Sequence, residues 1–322
     1  MKPASSAACA LALLSSPGLL AGCGGNGGSQ YSALPAAGER VAIAQSWMSP
    51  DAKRRDLLYV SDLNRDEVNV YSYPQGELRG RLTGFDAVHY ECVDAVGDVF
   101  IANGGAKQLL EYAHGGTKPI KTFTEPGFTH GCAVDPITGD LAVLHDPPSS
   151  GYGGFSVYKH AKGKPKEYTT PNVFRVYFIG YDGNGNLFVD GTAYHATFEI
   201  AELPVGSQTP TAVTLNQNIA FPGGLAWDGK YLVVGDQVSL SGPSKIYQFT
   251  ISGSTGTRVG TTELNNSCDV LQFWLQGKRV ITGGVCSPHV LYFQYPAGGS
   301  STKTVGGHSL QEPVGVTVSL AK

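Results

Sequence analysis

Two histidines and a tyrosine recur at one place in a repeated pattern. Five residues before an Asp that closes an apolar stretch stand His89 (before Asp94), His130 (before Asp135) and Tyr177 (before Asp182), while Gly223 takes that place before Asp228. Two imidazoles brought together by a repeat could share a divalent metal, or act as general acid and base near neutral pH. They could equally be the polar lining of a solvent-filled channel, which asks only for polarity. Glu312, near the C-terminus, is the acidic residue closest to the same place in the pattern. No G-x-S-x-G elbow, phosphate loop, H-E-x-x-H or paired C-x-x-C occurs, so no catalytic residue is assigned.

The cysteines are the second reactive set. Of the 6 in the chain, Cys9 and Cys23 fall in the N-terminal region, leaving Cys92, Cys132, Cys268 and Cys286. An even number in an exported chain reads as disulfides. Cys92 lies two residues before its Asp and Cys132 three before its own. That odd offset puts them on opposite faces of equivalent strands, facing a shared gap between neighbouring units, so a Cys92–Cys132 bridge is expected. Cys268 and Cys286 flank Gly277 symmetrically and would face each other across a hairpin.

Export is indicated by the first residues. Lys2 and the apolar run "AACALALLSSPGLLAGC" form a signal peptide too short and broken to span a membrane. Its end, "LAGC" at Leu20 to Cys23, resembles the lipobox of bacterial lipoproteins, which implies cleavage before a lipid-modified Cys23. "GGNGGSQ" then reads as a flexible tether. The resemblance implies a lipid-anchored, extracytoplasmic protein of the bacterial envelope. Gly24, rather than Asp, after the cysteine leans toward the outer membrane. The expected organisation is residues 1–22 signal peptide, 23–55 lipidated Cys23 and tether, and 56–322 one folded domain.

The elements that must position these residues are short strands. Aromatic-rich segments such as "VNVYSYPQG" and "FSVYKHAKG" end in turns at Gly76, Gly115, Gly163, Gly206, Gly253 and Gly298, roughly 44 residues apart. A second marker is an apolar strand, a Gly turn and another strand ending in Asp or Asn, as in "GCAVDPITGDLAVLHD" and "GLAWDGKYLVVGD". Val, Tyr, Phe and Ile alternate with polar residues, and no helical periodicity is sustained. The first unit has three strands, and its missing inner strand is supplied by "EPVGVTVSL", Glu312 to Leu320. The expectation is an all-β, six-bladed β-propeller whose C-terminal strand closes the first blade and removes exposed edges. Asp62, Asn103, Asp146, Asp190 and Asp236, ending the second strands, are expected to form turns rather than bind ligands.

The second marker resembles the NHL-repeat signature, and "FPGGLAWDGKYLVV" is similar to gluconolactonase and senescence-marker propellers, over roughly residues 56 to 320. That resemblance implies a propeller fold and, in the enzymes, a divalent cation held by acidic and Asn residues at the channel. Here His89, His130, Tyr177 and Gly223 stand at those positions, so that cation site is not expected. With Lys+Arg 23 against Asp+Glu 26, no field steers the chain toward nucleic acid. A membrane-anchored binding or interaction module without catalysis and without a cofactor follows, its partner a small molecule, a glycan or an envelope protein. The second reading is a metal-assisted hydrolase or lyase around His89 and His130.

Overall fold

The computed structural model describes residues 45–147, 151–237, 243–267, 269–284 and 287–322. Cys23, the signal peptide, most of the tether, Cys268 and Cys286 lie outside the described residues. Among the described residues no helix is long and apolar enough to cross a membrane.

The described strands form five sheets. The second repeat unit forms one four-stranded antiparallel sheet, whose inner strand is Val88–Val93, and the third forms another, from Thr129–Val134 inside to Lys166–Thr169 outside. The fourth and fifth units begin with inner strands Arg175–Tyr181 and Pro222–Trp227. Their sheets join through a two-residue parallel pairing of outer edges, Thr214↔Thr255 and Leu215↔Gly256, and the short strand Gly299–Ser300, paired at Leu264↔Gly299 and Asn265↔Ser300, brings the sheet to nine strands. A further four-stranded sheet starts at Phe273–Gln276. The C-terminal strand Pro313–Ser319 pairs antiparallel with Leu57–Asp62 and supplies the inner strand of the first unit. On the outside of that unit Trp47–Met48 pairs with Leu78–Thr83. The folded region therefore reaches back into the segment expected to be tether: Ala52 is buried in the core beside Tyr59 and Leu82.

The two sequence markers have mechanical causes. The marker glycines have φ between +55 and +79, a conformation that L side chains resist. The Asp that closes each first strand accepts the N–H two residues on: Val96 to Asp94 at 3.0 Å, Ile137 to Asp135 at 2.9 Å, Asn184 to Asp182 at 2.8 Å and Lys230 to Asp228 at 2.9 Å. Each is an Asx turn, so these carboxylates are occupied by the fold.

Inner strands of successive units touch in chain order, and Pro313–Ser319 touches both the second unit and the last. Their shared axis is packed. Tyr90 passes over Gly131, where a Cβ would come within 3.0 Å of it, and stacks on Phe178 at 4.7 Å. Leu225 and Val314 join the same buried cluster. Gln272 ties three units together: its amide donates to Glu91 O at 2.6 Å and its Oε1 accepts from Glu91 N at 3.2 Å and Val316 N at 3.0 Å. The solvent-filled channel expected from sequence is therefore closed beneath its mouth, because large side chains close over inner-strand glycines.

Candidate functional site

At the start of the inner strands the residues expected to converge do so in part. His89 and His130 meet edge to face, with ring centroids 5.9 Å apart, and Phe128 packs on both at 5.0 and 5.1 Å. Tyr177 packs instead on Phe221 at 5.3 Å. Gly223 offers no side chain, and its backbone closes on Gly235, where a Cβ would meet carbonyl carbon at 2.8 Å. Burial drives the His89 pKa down to about 4, against a weaker pull upward from its Nδ1 contact with Ala87 O at 3.1 Å. His89 is thus a neutral ring held in an apolar setting.

His130 and Tyr177 open onto a recess of about 440 Å³ with Asp146, Phe174 and Arg175. His130 Nε2 lies 3.1 Å from Asp146 Oδ1, at ion-pair distance but out of line for a hydrogen bond. A row of rings flanks the recess: Tyr152 to Phe174 at 6.1 Å and Phe174 to Tyr194 at 5.0 Å, with Tyr194 72% exposed. Glu312 does not line it. Its backbone N–H donates to Asp62 Oδ1 at 3.0 Å, and burial followed by the Asp62 charge raises its carboxyl pKa.

The residues ending the second strands behave as turn formers, with one substitution of position. Asp62 stands opposite Pro313, Asn103 opposite Val88, Asp236 opposite Pro222 and His145 opposite Thr129. In each case the next residue's N–H donates to the carbonyl before the inner strand: Leu63 to Glu312, Gly104 to Ala87, Gln237 to Phe221 and Asp146 to Phe128. Asp62, Asn103 and Asp236 accept N–H groups at the start of the inner strand, such as Ala220 to Asp236 at 2.8 Å. In the third unit this position belongs to His145 rather than Asp146: the pairing skips one inner-strand residue beside His145 just as it does beside Asp62 in the first unit, and Asp146 lies one residue further on. Asp146 is thereby released to face His130. In the fourth unit Asp190 accepts from Phe178 N at 3.1 Å, and complete burial raises its pKa well above the carboxylate range.

His145 belongs to a cluster that sequence reasoning missed. Cross-strand pairs His145↔Gly154 and Ser156↔Glu167 put these groups on one face of the third sheet. Glu125, from the chain entering that sheet, covers the face: it accepts from Tyr158 Oη at 2.7 Å and Ser156 Oγ at 2.5 Å. Burial raises its carboxyl pKa, against the opposing hydroxyl contacts. Among the described residues this is the one group of three whose ligand atoms, one each from Glu125, His145 and Glu167, lie within 4.8 Å of one another.

Two further features lacked a sequence signal. Glu91 is fully buried on the axis, where burial raises its pKa to about 8; the Ser61 hydroxyl donates to one carboxyl oxygen, and the other has no partner among the described residues. At the far ends of the inner strands a second recess, about 640 Å³, includes Trp227 and Trp274. The expected bridge between the second and third units is present as Cys92–Cys132, with Cα atoms 5.6 Å apart.

No protein-family model matches the chain, and no curated protein matches it. Solved structures do. A chain of a nidogen/laminin complex matches at TM-score 0.64 and 14% identity, covering 83% of this chain and 99% of that one. A protein of unknown function from Bacteroides caccae matches at 0.62 and 13%, covering 82% and 99%. The β-propeller domain of Myceliophteria thermophila Cps50 (Swd1) matches at 0.51 and 10%, covering 82% and 86%. With the sheet arrangement above, these likenesses establish an all-β protein with a β-propeller fold.

Proposed function

We propose that the chain is a lipid-anchored envelope protein whose six-bladed propeller binds a small glycan at the recess beside His130. The observation that carries this reading is the row Tyr152, Phe174 and Tyr194 leading to the recess where His130, Asp146 and Arg175 gather. Flat rings take the C–H face of a sugar, and a few polar groups take its hydroxyl edge. The count of six is supported by the edge pairing within the nine-stranded sheet, which spans only two residues on each strand and leaves its two antiparallel halves as separate repeat units. Anchoring through Cys23 is supported by "LAGC" and its Gly-rich tether, and export by the Cys92–Cys132 bridge. Gly24 favours the outer membrane.

Saturation-transfer NMR with a panel of envelope-derived mono- and oligosaccharides tests the recess. Binding should appear in the parent and disappear in Phe174→Ala and Tyr194→Ala; binding that survives both changes, or none at all, would overturn the reading. Cys23→Ser should release the protein from membranes, and unchanged partitioning would remove the anchor. The second reading, a metal-assisted hydrolase or lyase, draws on the His130–Asp146 pair, which could orient a base. Chelator-sensitive turnover of lactones, lost in His130→Ala, would establish it in place of simple binding.

A further inference from the structure

The geometry points to a divalent transition-metal site formed by Glu125, His145 and Glu167 in the third repeat unit. His145 Nδ1 donates to the backbone carbonyl of Asp146 at 2.9 Å, and a carbonyl can only accept. The tautomer is set from outside the cluster. In the neutral ring, Nε2 then presents its lone pair to two carboxylates, Glu167 Oε2 at 3.2 Å and Glu125 Oε2 at 3.9 Å. Three electron-rich atoms aimed at one another need a cation or a proton among them. The hydroxyls do not supply it: Tyr158 has one hydrogen for Glu125, and Ser156 has one hydrogen for two carboxylates, Glu125 at 2.5 Å and Glu167 at 3.0 Å.

The surroundings are those of a built site. Glu125 and His145 are each 4% exposed, whereas the Glu167 side chain is 54% exposed and leaves a route from solvent. Backbone carbonyl to Nδ1 and hydroxyls to carboxylate are the supports that orient metal ligands elsewhere. Gly154 makes the room: a Cβ there would meet Tyr168 O at 2.5 Å and the His145 ring at 3.5 Å. Repeats one, two and five place Asp or Asn where His145 stands and spend it on backbone N–H groups, a task His145 does not perform. One imidazole nitrogen with two carboxylate oxygens suits Zn²⁺ or Mn²⁺ better than Ca²⁺, which prefers an all-oxygen shell. Three protein ligands leave a coordination position for water.

The site meets the sugar recess only at Asp146, through its backbone carbonyl, and its test does not use a sugar. The full-length chain, treated with chelator and dialysed, is titrated with ZnCl₂, MnCl₂ and CaCl₂ by calorimetry, and its melting temperature is followed. One equivalent of Zn²⁺ or Mn²⁺ should bind and raise the melting temperature by mass action. Glu167→Gln, at the exposed ligand and so the mildest change to the fold, should weaken that binding by roughly a hundredfold or more, beyond the usual loss of a ligand's hydrogen-bond support. His145→Ala should abolish it, and His195→Ala, at a histidine outside the cluster, should not. Mn²⁺ should broaden the His145 ring resonances before any other histidine's. Binding unchanged in Glu167→Gln, or removed by His195→Ala, would mean an adventitious ion only and overturn the site. Absence of binding, with ¹⁵N spectra showing both His145 nitrogens protonated, would show that a proton supplies the missing charge.

Discussion

Where the second strand of a repeat meets the start of the first, the fifth unit holds Asp236 and the third holds His145. The surrounding backbone is closed in the same way, by Gln237 N–H to Phe221 O at 3.1 Å in one and Asp146 N–H to Phe128 O at 2.9 Å in the other. Asp236 accepts Ala220 N–H at 2.8 Å and Phe221 N–H at 3.2 Å. His145 turns to Glu125 and Glu167. One position can serve either the fold or a site, because the backbone bond already sets the strand ends. The side chain is then free to be spent elsewhere where the chain supplies partners.

The strongest way to break this comparison is to exchange the residues. His145→Asp places a third carboxylate against Glu125 and Glu167 and should cost about 3–5 kcal/mol at neutral pH, as expected for an uncompensated buried charge. Urea unfolding at pH 7 and pH 4 checks it, since protonation should relieve the cost. A near-neutral substitution would mean that the two positions are interchangeable.

Cys132→Ser comes next, because the third unit is also the one bridged to its neighbour. Its loss should cost about 2–4 kcal/mol under oxidising conditions and little under reducing ones. A redox-independent effect on the melting temperature would remove the bridge as a cause.

Acid should separate the third and fifth units as well. The His89 pKa is lowered to about 4 by burial. Its contribution is therefore complete above the unfolded value near 6.5 and is lost as pH falls through about 4. His89→Phe should abolish this acid loss, of about 3 kcal/mol, while leaving stability at pH 7.5 within about 1 kcal/mol of the parent. Hydrogen exchange should show the second and third units opening in acid before the fifth; simultaneous opening would deny the difference.

Asp236→Ala leaves the Ala220 and Phe221 N–H groups without their acceptor, at a cost of about 1–2 kcal/mol. The smallest effect belongs to His130→Ala. Among the described residues nothing hydrogen-bonds its Nε2, so stability should move by no more than about 0.5 kcal/mol while sugar binding is lost. Thermal melts of this pair set the fold's use of the mouth beside the site's.

Much of the fold was written locally. Marker glycines at positive φ, Asx turns at Asp94 and Asp135, and alternating apolar residues are each decided within a few residues, so they are readable along the chain. The Cys92–Cys132 bridge was readable for the same reason, since strand side chains alternate with period two. His89, His130 and Tyr177 were found by counting along that period, but their meeting partners, Phe128 and Phe221, were not. What the tertiary structure alone decided begins at the register shift beside His145. The same shift stands beside Asp62 in the first unit, so pairing across the sheet, and not the local Asp pattern, selects which side chain meets the inner strand. His145 takes the place expected for Asp146, which falls one residue beyond the paired strand. Glu125 reaches it from the segment entering the sheet and Glu167 from the outer strand, and Gln272 closes the axis across three units. Those contacts depend on long-range pairing, which fixes distance only after the repeats have packed.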